Sequence, residues 1–260
     1  MKRFLQSLII LLNIFWIHSD VTTLKYNLVN GLPDIYITPN TEQIGHTWSN
    51  GNVWDKELIQ KFYSLLPVDN SFVVIDIGAQ TGSFTLLSKY FPKSIWYAFE
   101  PIYEAANALK ENLVLNGITN VSVYQKAVSD FSGTTTLYMP NMNEWGLSTI
   151  GSNVLRFNTS IKREIECIDL DTFVEAENIQ KVNFMKLDTE GAEMSILRGA
   201  KKTIIRDHPI ILMEYNETNM KQCNVLKEEI DQFFKDVGYE WKLISSEDIL
   251  CIPIVTETTC

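Results

Sequence analysis

The sequence predicts an α/β fold: a doubly wound, mostly parallel sheet of seven strands with an antiparallel hairpin at one edge. Three observations carry this reading. From Phe72 onward, short apolar runs alternate with amphipathic segments, the rhythm of a parallel sheet covered on both faces. A glycine-bearing loop, Asp76-Ile77-Gly78-Ala79-Gln80-Thr81-Gly82, separates the first run from a helical pattern, and Glu100 closes the next run. Two terminal runs, Trp241 to Ile244 and Ile249 to Ile254, read as the edge hairpin.

Taken in chain order, Lys2 and Arg3 precede an apolar stretch from Phe4 to Ile17. Its charge polarity and length are those of a targeting leader, and it is short for a bilayer span. Residues 1–19 are therefore expected to place the chain at a membrane or in the secretory route, with membrane association through residues 4–17; the alternative is a cytoplasmic chain with a packed helix. Residues 20–71 form a cap region rich in turn signals, ending in a helix from Trp54 or Asp55 to Leu66. Residues 72–255 form the main domain. Phe72 to Ile75, Ser94 to Phe99 and Val121 to Tyr124 are its first three strands. The helix after Gly82 aligns Phe84, Leu87 and Phe91, and the next aligns Tyr103, Ala106, Leu109 and Leu113 before Asn116-Gly117 closes it. Residues 131–170 break the rhythm with β-prone pieces, Thr134 to Tyr138 and Arg163 to Ile168, and read as an insertion on the substrate side. Alternation resumes with a strand from Val182 to Leu187, a helix from Ala192 to Ile205 and a strand from Ile210 to Glu214. An amphipathic helix carrying Leu226, Ile230, Phe233, Phe234 and Val237 follows.

The 260 residues include 45% hydrophobic side chains, enough for one substantial core. The net charge of −10 and the lack of a basic run disfavour nucleic acid as a partner. Cys167, Cys223, Cys251 and Cys260 show neither Cys-x-x-Cys spacing nor a neighbouring His, so no metal site is expected.

Asp76, Glu100, Asp188 and Glu214 end four predicted strands and so share one sheet edge, where ligands of such sheets bind. The loop spacing is Asp-x-Gly-x-x-x-Gly rather than Gly-x-Gly-x-x-Gly. An acid at its start repels a pyrophosphate but suits a cationic amino-acid tail, which points to S-adenosylmethionine and methyl transfer. Gly78 and Gly82 are expected to give a ligand close backbone approach, with Ala79 and Gln80 between them. Asp76 is expected to anchor the ammonium of the methionine tail, directly or through water, with Glu100 beside Pro101 at the ribose diol and Asp130 at the adenine amino group. The run Lys186-Leu187-Asp188-Thr189-Glu190-Gly191-Ala192-Glu193 gathers carboxylates and a lysine at a strand end. Asp188 or Glu190 is the expected general base, with Lys186 orienting the turn. Histidine is scarce: His18 lies in the leader, His208 at the wrong end of a strand, and His46 is next in line as base.

These motifs, with Ala98-Phe99-Glu100-Pro101, Ala127-Val128-Ser129-Asp130, Leu170-Asp171 and Leu197-Arg198-Gly199-Ala200, resemble the FkbM family of S-adenosylmethionine-dependent methyltransferases over roughly residues 50–215. The resemblance implies a class I, Rossmann-like methyltransferase. It also implies O-methylation of a hydroxyl on a small-molecule or glycan acceptor, a sugar or other natural product. The family commonly has Asn where this chain has Gln80. Two rival functions are a nucleotide-cofactor-dependent oxidoreductase, which the missing Gly-x-Gly-x-x-Gly opposes, and a catalytically inactive cofactor-binding protein, which the intact Asp188–Glu193 run opposes.

Overall fold

A computed structural model describes residues 23–39, 48–49, 52–68, 71–140, 145–151 and 161–254. The leader, His46 and part of the insertion lie outside them. The central sheet is built from β5 (Val73–Ile77), β6 (Ile95–Phe99), β7 (Val121–Tyr124), β11 (Phe184–Leu187), β12 (Ile210–Glu214), β13 (Tyr239–Leu243) and β14 (Asp248–Pro253). Its spatial order is β13-β14-β12-β11-β5-β6-β7. Numbered along the chain as 1 to 7, these strands read 3-2-1-4-5-7-6 from the β7 edge. The first five run parallel, whereas β14 pairs antiparallel with both β12 and β13, which is the expected edge hairpin. Strand order reverses between β5 and β11, so the ligand crevice belongs beyond their C-terminal ends.

Helices cover both faces. One face packs α3 (Leu170–Ala176), α4 (Glu193–Gly199), α5 (Lys201–Asp207) and α7 (Lys227–Asp236) over Ile75, Ile77, Met185 and Ile211. The other receives α1 (Lys56–Leu65), which buries Leu58, Ile59 and Phe62, together with α2 (Tyr103–Leu115). The cap region is part of this second core. β1 (Leu24–Tyr26) pairs with β2 (Ile35–Ile37), and β3 (Trp48–Ser49) with β4 (Asn52–Val53). From them Tyr26, Ile35, Ile37 and Trp48 join Val74, Leu86 and Trp96. The insertion contributes β9 (Gly133–Met139) and β10 (Ile161–Asp169), which with β8 (Ala127–Ser129) make a separate sheet in the order β8-β10-β9. A bidentate ion pair from Arg163 to Glu104, at 2.6 and 2.9 Å, fastens that sheet to α2.

Two predicted helices come out differently. The segment after Gly82 is a 3₁₀ helix, Thr85–Tyr90, rather than an α-helix, although Phe84, Leu87 and Phe91 are all buried as expected. Only a few residues separate Gly82 from Pro92, and the Thr85 hydroxyl is drawn down to Asp76, so i→i+3 bonds such as Leu87 N–H to Phe84 O close the turn. The single helix predicted from Ala192 to Ile205 divides into α4 and α5 at Ala200. Asp171 forces the break by capping the new start. Its carboxylate accepts from the Lys202 and Thr203 N–H groups and from the Thr203 hydroxyl. One short helix, α6 (Glu217–Gln222), has no counterpart in the sequence reading; Asn216 caps it through the Thr218 and Asn219 N–H groups.

Candidate functional site

A cavity of about 800 Å³ opens at the switch point. Gly78, Gln80, Glu100 and Pro101 line one side, and Lys186, Asp188, Glu190 and Glu214 the other. Eight of the twelve residues that the sequence places at the site thus meet there; Asp76, Ala79, Gly82 and Asp130 stand outside its lining.

The loop after β5 is held by the end of β6. The Gly78 and Ala79 N–H groups both donate to the Phe99 carbonyl at 3.0 Å. Gly78 has φ +79°, and a Cβ there would run into the carbonyl oxygen of Asp188. At Gly82, φ +105°, a Cβ would lie 2.5 Å from the Leu109 side chain. A side chain at either glycine would therefore meet protein atoms; the Gly78 backbone still lines the cavity, whereas Gly82 stands outside it. Gln80 adopts a left-handed φ of 49°. Asn tolerates that conformation better than most residues, which gives a physical reason for the Asn usual at this position.

Asp76 is buried under the loop rather than in the cavity wall. Its Oδ2 accepts the Thr85 hydroxyl at 2.6 Å, and its Oδ1 has no hydrogen-bond partner, the Lys186 ammonium standing 3.9 Å away. Burial raises its pKa against the pull of Lys186 and Thr85. Asp76 thus stands behind the cavity wall rather than in it. Glu100 is buried too. Oε2 accepts the Gln80 N–H at 2.9 Å and Oε1 the Ile102 N–H at 2.8 Å, leaving each oxygen one further lone pair. Burial dominates these bonds and pushes its pKa up to about 7. Asp130 is exposed and accepts from the Ser129 hydroxyl at 3.3 Å, while Lys126, Ala127 and Val128 line the cavity in its place.

Across the cavity, Lys186 is a buried cation. Its ammonium reaches Asp188 Oδ2 at 3.1 Å and the Gly78 carbonyl at 3.3 Å, and lies 4.9 Å from the centre of the Phe84 ring. Burial alone lowers its pKa, but Asp188 and Asp76 outweigh it and the net shift is upward, so the side chain stays charged and pins the two loops together. Glu190 and Gly191 follow with φ of 58° and 107°. A Cβ on Gly191 would strike the Asn219 carbonyl oxygen. Asn219 Nδ2 donates to both Glu190 Oε2 and Glu214 Oε1, each at 2.7 Å. Glu193 turns back to accept the Thr189 N–H and hydroxyl at 2.8 Å, and so braces the turn.

Sequence reasoning missed the mouth. Trp54, 69% exposed, and Asp55, Glu247 and Asp248 line it. Burial, then Asp248 and Asp188, raise the Asp55 pKa to about 6. Trp145, from the insertion, also lines the cavity, and its buried indole N–H has no partner. Nothing in the local sequence marks Asp55 or Asp248, whereas Trp145 lies in the segment expected to cover a substrate. His208 caps the C-terminal end of α5, at the end of β12 opposite the cavity.

A 3-2-1-4-5-7-6 sheet with a ligand crevice at its switch point defines a class I, Rossmann-like methyltransferase fold. The family model described as the methyltransferase FkbM domain matches residues 76–241, and the chain belongs to that family of S-adenosylmethionine-dependent methyltransferases. "Methyltransferase 1" of Beauveria bassiana is 27% identical over 158 residues, covering 54% of this chain and 63% of that protein. The "2-O-methyltransferase NoeI" of Sinorhizobium fredii is 26% identical over 164 residues, 57% of this chain and 65% of that one. The chain thus spans just under two thirds of these relatives. A solved FkbM methyltransferase from Methylobacillus flagellatus shares the fold, with a TM-score of 0.50 at 16% identity, covering 73% of this chain and 45% of that one. Among the described residues no helix is long and apolar enough to cross a membrane.

Proposed function

We propose that this chain uses S-adenosylmethionine to methylate a hydroxyl of a sugar, glycan or other small natural product. The observation that carries the reading is one cavity bounded by the Glu100-held loop on one side and by Asp188 and Glu190 on the other. Its volume suits a cofactor with part of an acceptor. The residues fit the cofactor's chemistry. Glu100 keeps a lone pair on each oxygen for a ribose diol, Ile102 and Val128 offer apolar wall to a base, and no phosphate-binding glycine array is present in the loop. The oxygen acceptor is supported by the relative whose printed name is a 2-O-methyltransferase.

Bound S-adenosylmethionine supplies a methyl group on a sulfonium centre. The chain's own part is positioning and proton removal. Lys186 fixes Gly78 against Asp188, so the two sides of the cavity keep a set separation. Asp188 or Glu190 accepts the hydroxyl proton on a carboxylate oxygen. Trp54 at the mouth offers a flat apolar face to a sugar ring. The apolar segment at residues 4–17 is assigned the further role of bringing the enzyme to a membrane or across it.

Isothermal titration with S-adenosylmethionine tests the cofactor. The wild-type chain should bind. Glu100→Ala should weaken binding by about 1–3 kcal/mol through loss of the diol acceptor, and Gly78→Val should do so by driving the loop off Asp188. Undiminished binding in both variants sinks the assignment.

A further inference from the structure

We infer that Asp188, Glu190 and Glu214 form a binding site for a hard divalent cation, placed to hold the acceptor oxygen. The three residues lie at the C-terminal ends of the adjacent strands β11 and β12, and one carboxylate oxygen from each lies within 4.8 Å of the others. Two ligands of one ion can be no farther apart than twice the metal–oxygen distance, about 4.2 Å for Mg²⁺ and roughly 4.6–5.2 Å for Ca²⁺. The triad is therefore within the reach of a single ion with little movement.

A second observation comes from the hydrogen bonds. Glu214 is only 9% exposed, and its Oε2 is fully buried with no partner. Its other oxygen is taken by Asn219, whose amide also holds Glu190, so one side chain fixes the relative position of both carboxylates. An orphaned carboxylate oxygen in a buried acidic cluster is costly unless a cation meets it. Lys186 does not, because its ammonium sits on Asp188 and near Asp76.

The backbone around the triad is built to hold it. Glu190 takes a left-handed conformation that a non-glycine residue adopts only when its surroundings impose it, and the Gly191 turn is locked on the Asn219 carbonyl. This site departs from the expectation of no metal site, which rests on cysteine and histidine spacing alone; three carboxylates select Mg²⁺, Mn²⁺ or Ca²⁺. Three protein ligands leave coordination positions facing the cavity. The role at those positions rests on the methyl-transfer reading: an acceptor hydroxyl on the ion loses its proton more easily to whichever carboxylate oxygen of Asp188 or Glu190 does not bind the ion.

The site itself is tested without turnover. Mn²⁺ is titrated into the full chain and free Mn²⁺ followed by electron paramagnetic resonance. The expected result is one bound ion per chain, with affinity at least about tenfold weaker in Glu214→Gln and in Asp188→Asn. Glu247→Gln, at the mouth but outside the triad, should bind as wild type does. Asp188 is half exposed, so its variant serves if Glu214→Gln fails to fold. Absence of Mn²⁺ binding to the wild-type chain, or wild-type affinity in Asp188→Asn, overturns the inference. Titration of the metal-free chain with S-adenosylmethionine, run in parallel, keeps the two readings apart. Cofactor binding without Mn²⁺ binding removes only the metal site, and Mn²⁺ binding without cofactor binding removes only the methyl-transfer role.

Discussion

Asp188 and Glu190 stand two residues apart but in different environments, and this difference makes their roles separable. Asp188 shares the Lys186 ammonium, whereas Glu190 is held by the Asn219 amide on a left-handed turn. Asp188→Asn and Glu190→Gln should leave S-adenosylmethionine affinity nearly unchanged and lower turnover on a validated acceptor by about 10²–10⁴-fold for whichever is the base. Wild-type rates in both would move the base elsewhere. Glu100 makes a different prediction, concerning stability. Its carboxyl goes from an ordinary 4.5 to about 7 in the folded chain, because burial penalises the charge more than two backbone N–H bonds favour it. The folded state therefore binds this proton more tightly than the unfolded state. The contribution is fully present below about pH 4.5 and is lost as pH rises through about 7, a span worth roughly 3 kcal/mol. Melting temperatures of the ligand-free chain should fall across that window, and Glu100→Gln should flatten the fall whatever its own offset. Asp76 and Glu193 shift in the same direction, so some slope remains. Parallel curves for the two proteins would show that Glu100 is already charged in the fold.

At the scale of elements, the residues that resemble the family divide into those that face the cavity and those that hold helices. Leu170-Asp171 is of the second kind. Leu170 is buried in the core, and Asp171 caps α5 through three hydrogen bonds of 2.7 to 2.9 Å. Gly199 belongs with it, since a Cβ there would run into the Ser129 carbonyl oxygen and separate α4 from β8. Asp171→Ala should cost about 1–2 kcal/mol in urea unfolding while S-adenosylmethionine affinity stays unchanged; a loss of affinity without a loss of stability would make Asp171 a site residue. This division explains what the sequence could disclose. Strands and their terminal acids were legible, because a parallel sheet writes itself as apolar runs and its crevice collects polar ends. The break at Ala200 was not, because its cause is a carboxylate about thirty residues earlier. Nor was the orientation of Asp76, which looks like a cavity residue in the motif but turns under the loop toward Thr85. Asp55 and Asp248 reach the mouth only through the packing of α1 and the edge hairpin, contacts that no local pattern encodes.

For the whole molecule, the sharpest question is where the folded unit starts. A boundary at residue 72, where strand–helix alternation begins, is natural from periodicity, yet the second core runs straight across it. Ile37, Trp48, Ile59 and Phe62 pack with Val74, Phe84, Leu86 and Trp96, and polar bonds reinforce the join. The Trp48 indole donates to the Thr81 hydroxyl at 2.8 Å, and Asn112 links the Thr38 N–H to the Thr81 carbonyl at 3.0 Å on both sides. These bonds end at Thr81 in the loop after β5, so the cap region supports the cavity wall as well as the core. Removing it would bare several large apolar side chains, each worth about 1.5–3 kcal/mol of burial, against a total stability of about 5–15 kcal/mol. A chain starting at Ser71 should therefore fail to fold cooperatively, as read by circular dichroism on heating. A chain starting at Asp20 should fold and bind S-adenosylmethionine like the 260-residue chain. The two long forms should part company in the cell: the full chain goes to the membrane or lumenal fraction and the Asp20 form stays in the soluble cytosolic one, because only the former carries Lys2, Arg3 and the apolar run to Ile17. Equal recovery of both in the cytosolic fraction would remove the targeting role, and a cooperatively folding Ser71 form would show that the cap is an accessory to the domain.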